Sequence, residues 1–126
     1  MRFAYVPGQP ALDGISFTAP AGKMTALVGP SGAGKSTILN LIPRFYDVDT
    51  GCVAVDGTDI RTCSMESLRA GMALVSQEIV LFDDSVRANI AYGRTGAGED
   101  AIIAAARAAA AHDFIIALPD GYDTFV

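Results

Sequence analysis

A glycine-rich segment that follows a short apolar run constrains the fold of this chain most strongly. Residues 29–37 read Gly-Pro-Ser-Gly-Ala-Gly-Lys-Ser-Thr. They fit the pattern G-x-x-x-x-G-K-[ST], in which glycine-rich backbone surrounds phosphate groups. The apolar run at 24–28 is typical of a buried parallel strand, and apolar residues continue at helical spacing after the loop until Pro43 ends the pattern. Strand, loop and helix in this order predict an α/β fold with a parallel sheet.

The residue types of this loop suit the phosphates of a nucleotide. Glycine lets the backbone turn tightly, and successive N–H groups at the start of a helix attract anions. Lys35 supplies a charge for the outer phosphates, and the Ser36 hydroxyl is a ligand for Mg²⁺. The predicted nucleotide-binding residues of the loop are Gly29, Ser31, Gly32, Ala33, Gly34, Lys35, Ser36 and Thr37. The alternative is a glycine-rich turn that merely caps a helix.

Two further residues are candidates for the same site. Tyr5 lies in a short predicted strand, and its ring either stacks on a purine base or is a plain strand aromatic. Gln77 follows the apolar run 72–75 at the strand edge where α/β sheets bind ligands. Its amide either meets Mg²⁺ or a nucleophilic water, or faces solvent.

Composition limits the other classes of partner. The chain has 126 residues, enough for one domain or part of one, and a net charge of −5 without a basic patch, so nucleic acid is not an expected partner. No apolar stretch approaches the roughly 20 residues needed to span a bilayer, and the first residues lack the features of a signal peptide. Cys52 and Cys63 have no metal-like spacing, which predicts structural thiols in a reducing compartment.

The remaining elements follow from turn and cap signals. Short antiparallel strands are predicted at 3–5 and 15–18, and a hairpin turn at Asp56-Gly57. Ser64 is the predicted N-cap of a helix over 65–70. Three more helices are predicted over 85–91, 101–111 and 114–118, the first capped by Asp84 and the last by Asp113. The run 79–84 ends in acids like a second Mg²⁺-binding strand, but it follows the preceding strand too closely for a crossover helix.

With these pieces in place, the chain resembles the nucleotide-binding domain of an ABC transporter of the exporter type, and is most similar to bacterial lipid and multidrug exporters. The matching segments include FAY at 3–5, ALVGPSGAGKST at 26–37, RFYD at 44–47, ALVSQE at 73–78 and LFDDSVRANIAYG at 81–93. The resemblance implies a P-loop NTPase core with a small N-terminal antiparallel β subdomain. It also implies ATP and Mg²⁺ as cofactors, adenine stacking on Tyr5, and catalytic roles for Lys35 and Gln77, the latter also a metal ligand.

The same resemblance implies partners and a location. The transmembrane domain of an exporter is expected to dock near residues 78–90, and a second nucleotide-binding domain, identical or different, is expected to complete the ATP site. The protein would then work at the cytoplasmic face of a membrane. Ile79 stands where the family often has proline, which removes no ligand.

The larger departure is what these residues do not contain. The family's signature Leu-Ser-Gly-Gly-Gln, its second Mg²⁺-binding aspartate with the adjacent glutamate, and its switch histidine are absent from 1–126. We therefore expect the N-terminal part of an ABC-type ATP-binding domain, without ATP turnover of its own. The alternatives are a soluble ABC ATPase without transport and a nucleotide-binding or interaction module without hydrolysis.

Overall fold

The computed structural model describes residues 1–76 and 80–126, and contacts within the chain divide it into two units, 1–75 and 76–126. The elements of the first unit are α1 (Lys35–Leu41), β1 (Ala54–Val55), β2 (Thr58–Asp59), a 3₁₀ turn (Ile60–Thr62) and α2 (Met65–Ala70). The elements of the second unit are α3 (Val86–Ala91), α4 (Glu99–Ala108), α5 (His112–Ile116) and a 3₁₀ turn (Gly121–Asp123). No helix among the described residues is long and apolar enough to cross a membrane.

The core of the first unit forms where the N-terminal segment crosses α1. Phe3 and Leu12 are buried with Ile38 and Leu41, which are three residues apart and so share one face of α1. Phe3 and Leu12 exchange main-chain hydrogen bonds of 3.0 Å in an antiparallel bridge. The predicted strand at 3–5 is thus present as isolated antiparallel bridges rather than as a continuous strand.

The predicted hairpin is confirmed. Ala54 pairs with Asp59 and Val55 with Thr58, which leaves a two-residue turn. Asp56 and Gly57 both have positive φ, 49° and 78°, as a type I′ turn requires. The return strand is short because the side chain of Asp59 accepts a bond from the Arg61 N–H and so starts the 3₁₀ turn.

The two apolar runs at 24–28 and 72–75 were predicted as buried parallel strands, and this prediction is wrong for the described residues. Neither run belongs to a strand ladder there, since the one sheet of named strands is β1–β2. Met24 and Val75 are 99% and 96% exposed, although Leu27 packs against the first core. A strand needs hydrogen bonds from a neighbouring strand, and residues 1–76 and 80–126 provide none for these runs. The strand predicted at 15–18 is also absent.

The second unit is a small helical cluster. Its buried residues are Ile102 and Ala106 of α4, Ile115 of α5 and Tyr122. Arg87 on α3 forms ion pairs with Glu99 and Asp123 and so ties three segments together.

All three helix starts in the second unit differ from the prediction, and α4, predicted over 101–111, spans Glu99–Ala108. Ser85, not Asp84, caps α3, because the Ser85 hydroxyl accepts the Ala88 N–H while Asp84 accepts the Ser85 N–H. The last helix begins at His112 rather than after Asp113, with Ala111 at the N-cap position and no side-chain cap. The α2 prediction is confirmed, with Ser64 as its cap.

Candidate nucleotide-binding site

The glycine-rich loop leads directly into α1, and Gly34 is the N-cap residue between them. Its φ is 82°, a conformation that other residues rarely adopt. A Cβ at this position would also lie 2.4 Å from Leu12 Cδ2 and 3.0 Å from the Ala11 carbonyl oxygen. Gly34 therefore lets the loop sit directly against the core of the first unit.

The N–H groups of the loop are largely free to meet a ligand. Between residues 29 and 37, the Ala33 N–H donates to the Pro30 carbonyl, and this is the one main-chain bond that a loop N–H makes to a described residue. Helix α1 has no side-chain cap at Gly34 and no acidic residue in its first turn. The start of α1 thus keeps its unpaired donors and partial positive charge, which is the arrangement that attracts an anion.

Lys35 lies over the same loop. Its Nζ donates to the carbonyl oxygens of Gly29 (2.8 Å) and Pro30 (2.7 Å). An ammonium group has three donors, so this geometry leaves one for a phosphate oxygen. The loop carbonyls hold the positive charge beside the free N–H groups.

Ser36 and Thr37 occupy different environments in the first turn of α1. Ser36 is exposed, so its hydroxyl is accessible to a metal ion or a phosphate. Thr37 is buried, and its hydroxyl oxygen accepts a long hydrogen bond of 3.4 Å from the Tyr5 hydroxyl. The first turn of α1 therefore contacts Tyr5, the residue that was predicted to stack on a purine base.

Tyr5 belongs to a cluster of three aromatic rings. Its centroid lies 4.8 Å from that of Phe3 and 5.1 Å from that of Tyr46, with interplanar angles of 83° and 90°. Phe3 is buried, whereas Tyr5 and Tyr46 are 48% and 47% exposed. Exposed aromatic area beside the phosphate loop is what stacking on a base requires. Tyr46 was not predicted as a site residue, although the aromatic pair at 45–46 directly after the helix is a visible signal.

The segment that carries Tyr46 is held by charged groups. Arg44 has φ 56° and binds both carboxylate oxygens of Asp47, at 2.7 and 3.2 Å. Hydrogen bonding to the Arg44 guanidinium lowers the pKa of Asp47 below its ordinary value, and the same bond raises the pKa of Arg44. Arg69 of α2 donates to the Pro43 and Arg44 carbonyls and lies 5.2 Å above the ring of Phe45.

The predicted docking segment is described only in part. Gln77 lies outside the described residues, together with Glu78 and Ile79, so the structure does not place the predicted metal and water ligand. Beyond them, Leu81 and Phe82 are exposed. The Asn89 side chain fixes the backbone there, accepting the Phe82 N–H at 2.8 Å and donating to the Phe82 carbonyl at 3.0 Å.

Acidic and sulfur ligands for a metal do not converge in residues 1–76 and 80–126, where no group of three His, Cys, Asp or Glu side chains could hold an ion. His112 Nδ1 lies 2.9 Å from the Tyr122 hydroxyl oxygen at the edge of the second core. His112 therefore contacts a residue of the second core.

A glycine loop with free N–H groups, a lysine over it and an exposed aromatic ring beside it form a candidate nucleotide-binding site. The family model for ABC transporters matches residues 12–121. The chain therefore belongs to the ABC transporter family.

Relatives narrow the branch of the family. The chain is 55% identical over its whole length to the "ATP-dependent lipid A-core flippase" of Syntrophus aciditrophicus, and 51% identical to "ATP-binding cassette sub-family B member 6" of Homo sapiens. It covers 21% and 15% of these two proteins. The chain thus spans about a fifth or less of the length of the curated relatives it matches.

A solved structure confirms the predicted fold class. The structure of a bacterial Atm1-family ABC exporter with ATP bound matches with a TM-score of 0.94 and 50% identity, over 98% of this chain and 22% of that one. The chain is thus an α/β P-loop segment of the ABC exporter type, as its sequence predicted.

Proposed function

We propose that this chain binds Mg·ATP as part of an ABC exporter that couples ATP binding and hydrolysis to transport across a membrane. The observation that carries the proposal is the start of α1, where free N–H groups, an uncapped helix end and Lys35 converge on one loop. A triphosphate fits this site, because its phosphate oxygens accept hydrogen bonds from the free N–H groups and attract the Lys35 ammonium. The flippase and exporter relatives support the transport function.

Each predicted residue has a distinct task in this proposal. The N–H groups of 29–37 and the Lys35 ammonium bind the phosphates, and the Ser36 hydroxyl ligates Mg²⁺. Tyr5 stacks on the adenine ring, close to the first turn of α1 that its hydroxyl contacts. Gln77 links Mg²⁺ and the attacking water to the membrane domain. The metal ion supplies charge stabilisation during phosphoryl transfer.

In this proposal the chain works together with two partner domains of the exporter. Residues 78–90 dock the transmembrane domain, in keeping with the exposed apolar side chains of Leu81 and Phe82. A second nucleotide-binding domain, identical or different, supplies the signature that residues 1–126 lack. The site would then face the cytoplasmic side of the membrane.

Residues 1–126 alone are proposed to bind nucleotide without turning it over. Phosphoryl transfer depends on positioning and on charge stabilisation. The second carboxylate ligand and the catalytic base of the family are absent from the sequence. This part of the proposal would be contradicted if the purified chain released phosphate from ATP steadily and Lys35→Ala abolished that release.

Calorimetric titration with Mg·ATP tests the binding site itself. Lys35→Ala should raise the Kd about 10- to 100-fold, because it removes a charge-assisted hydrogen bond to phosphate. Lys23→Ala is the matched control, since Lys23 is an exposed lysine outside the loop. Equal affinities in Lys35→Ala and the wild type, with unchanged circular dichroism, would disprove nucleotide binding at this loop.

A further inference from the structure

We propose that Tyr46 is a positioning residue for the base: it holds the ring of Tyr5 in the orientation that stacks on adenine. This inference rests on the proposed function, and it extends the base site to a residue outside the phosphate loop that, in this proposal, does not contact the nucleotide. It comes from three observations: the packing of the rings, the anchoring of the segment 44–47, and the shared attachment of both tyrosines to α1.

The rings of Tyr5 and Tyr46 pack at right angles. Their centroids are 5.1 Å apart with an interplanar angle of 90°, which is the edge-to-face arrangement that aromatic pairs favour. Phe3 packs beneath both rings, at 4.8 Å from Tyr5 and 5.6 Å from Tyr46. Two ring contacts of this kind restrict the rotation of a side chain that is otherwise half exposed.

Tyr46 can hold another ring because its own backbone is fixed. The Arg44–Asp47 pair closes the segment on itself, and the Arg69 guanidinium donates to the carbonyl oxygens of Pro43 and Arg44. The Phe45 N–H donates to the Asn40 carbonyl of α1 at 3.1 Å. Tyr46 is therefore attached to the same helix that begins at the phosphate loop.

The segment of Tyr5 is attached to the same frame. The Ala4 N–H donates to the Asp49 carboxylate at 2.9 Å, and Arg2 forms an antiparallel bridge with Thr50. The Tyr5 hydroxyl reaches Thr37 on α1. Both rings thus keep a set distance from the loop, and a base stacked on Tyr5 stays within reach of phosphates at α1.

Pre-organisation of this kind affects one part of the ligand only. If Tyr5 rotates freely, a base loses affinity because the ring must be ordered on binding. The phosphates contact the loop, so a ligand without a base should be insensitive to Tyr46. This difference separates a positioning role from general support of the fold.

The experiment compares Mg·ATP with Mg·tripolyphosphate in calorimetric titrations of the intact protein. Tyr46→Leu keeps apolar bulk but removes the ring, and it should raise the Kd for ATP about two- to tenfold while the Kd for tripolyphosphate stays within about twofold. Tyr46→Phe keeps the ring and should restore the ATP affinity. The matched control is Tyr92→Leu, which removes an exposed tyrosine that packs against Phe82 at 4.5 Å in the second unit.

Each result has one meaning. An unchanged ATP affinity in Tyr46→Leu, or an equal loss for both ligands, overturns the positioning role. Loss of ATP affinity in Tyr46→Phe as large as in Tyr46→Leu overturns it too, because the ring would then not be the active feature. A further measurement separates the two proposals. If Lys35→Ala does not weaken the binding of tripolyphosphate, the proposed function is wrong, and the Tyr46 inference is wrong with it.

Discussion

Helices α1 and α3 are of similar length, but α3 has a side-chain cap at its N-terminus and α1 has none. At α3 the serine stands outside the helix, and the Ser85 hydroxyl accepts the Ala88 N–H at 3.1 Å. At α1 the N-cap is Gly34, and the serine lies two positions beyond the N-cap, at Ser36, where it caps nothing. A two-residue shift of one hydroxyl thus separates a closed helix end from an open one.

The difference shows that an N-terminus open to a ligand lacks the stability that a side-chain cap would contribute. A side-chain cap is worth about 1 kcal/mol, which α1 forgoes. Among the described α-helices, α2, α4 and α5 carry an acidic residue in the first turn and α3 has its serine cap, whereas α1 has neither. The end of α1 is open because no residue of the first unit competes with an anion for it.

The largest expected effect comes from closing the space at Gly34. Gly34→Ala should lower the free energy of unfolding by about 2–5 kcal/mol, since the new Cβ meets Leu12 and the φ of 82° is unfavourable for alanine. Gly57→Ala is the matched control: its φ of 78° is similar, but a Cβ there meets nothing within 4 Å, and the cost should be about 1–2 kcal/mol. Urea denaturation followed by circular dichroism measures both. Equal costs would show that the loop does not press on the core at Gly34.

A smaller effect tests the two serines directly. Ser85→Ala should destabilise the protein by about 1 kcal/mol, because it removes the cap of α3. Ser36→Ala should change stability by less than about 0.5 kcal/mol, because this hydroxyl caps no helix. The urea midpoint of each variant is the measurement. A larger loss in Ser36→Ala than in Ser85→Ala would reverse the comparison between the two helices.

The smallest effect concerns acid. The hydrogen bond from Arg87 of α3 lowers the pKa of Asp123, so this carboxylate contributes stability above its ordinary pKa, and that contribution is lost as the pH falls through the lowered value. Since the unfolded pKa is about 4, we expect the loss below about pH 4. In Asp123→Asn the urea midpoint should fall less steeply over this range. A slope identical to that of the wild type would mean that the pair adds nothing to stability in solution.

Local chemistry made much of this structure predictable from the sequence. The phosphate loop, the hairpin at Asp56-Gly57 and the cap at Ser64 each depend on residues within one turn of each other, and all are present. Asp84 and Ser85 are both good caps and are adjacent, so the sequence could not decide between them. The structure decides for Ser85.

Long-range contacts were beyond the sequence. The role of Tyr46 depends on its packing against Tyr5, far away in the chain, and a strand pattern does not reveal which rings meet across a core. The prediction of two parallel strands was wrong for the same reason. An apolar run shows that a strand can be buried, but it does not show that neighbouring strands are present to pair with it. Family resemblance supplied the fold class that periodicity alone left incomplete.

The uncovered runs at 24–28 and 72–75 also determine how this polypeptide would behave in a test tube. An apolar stretch with bare amide and carbonyl edges is a template on which another molecule of the same kind can add. Concentrated preparations of residues 1–126 should therefore associate and precipitate, and work at low concentration or with a solubilising fusion will keep them dispersed.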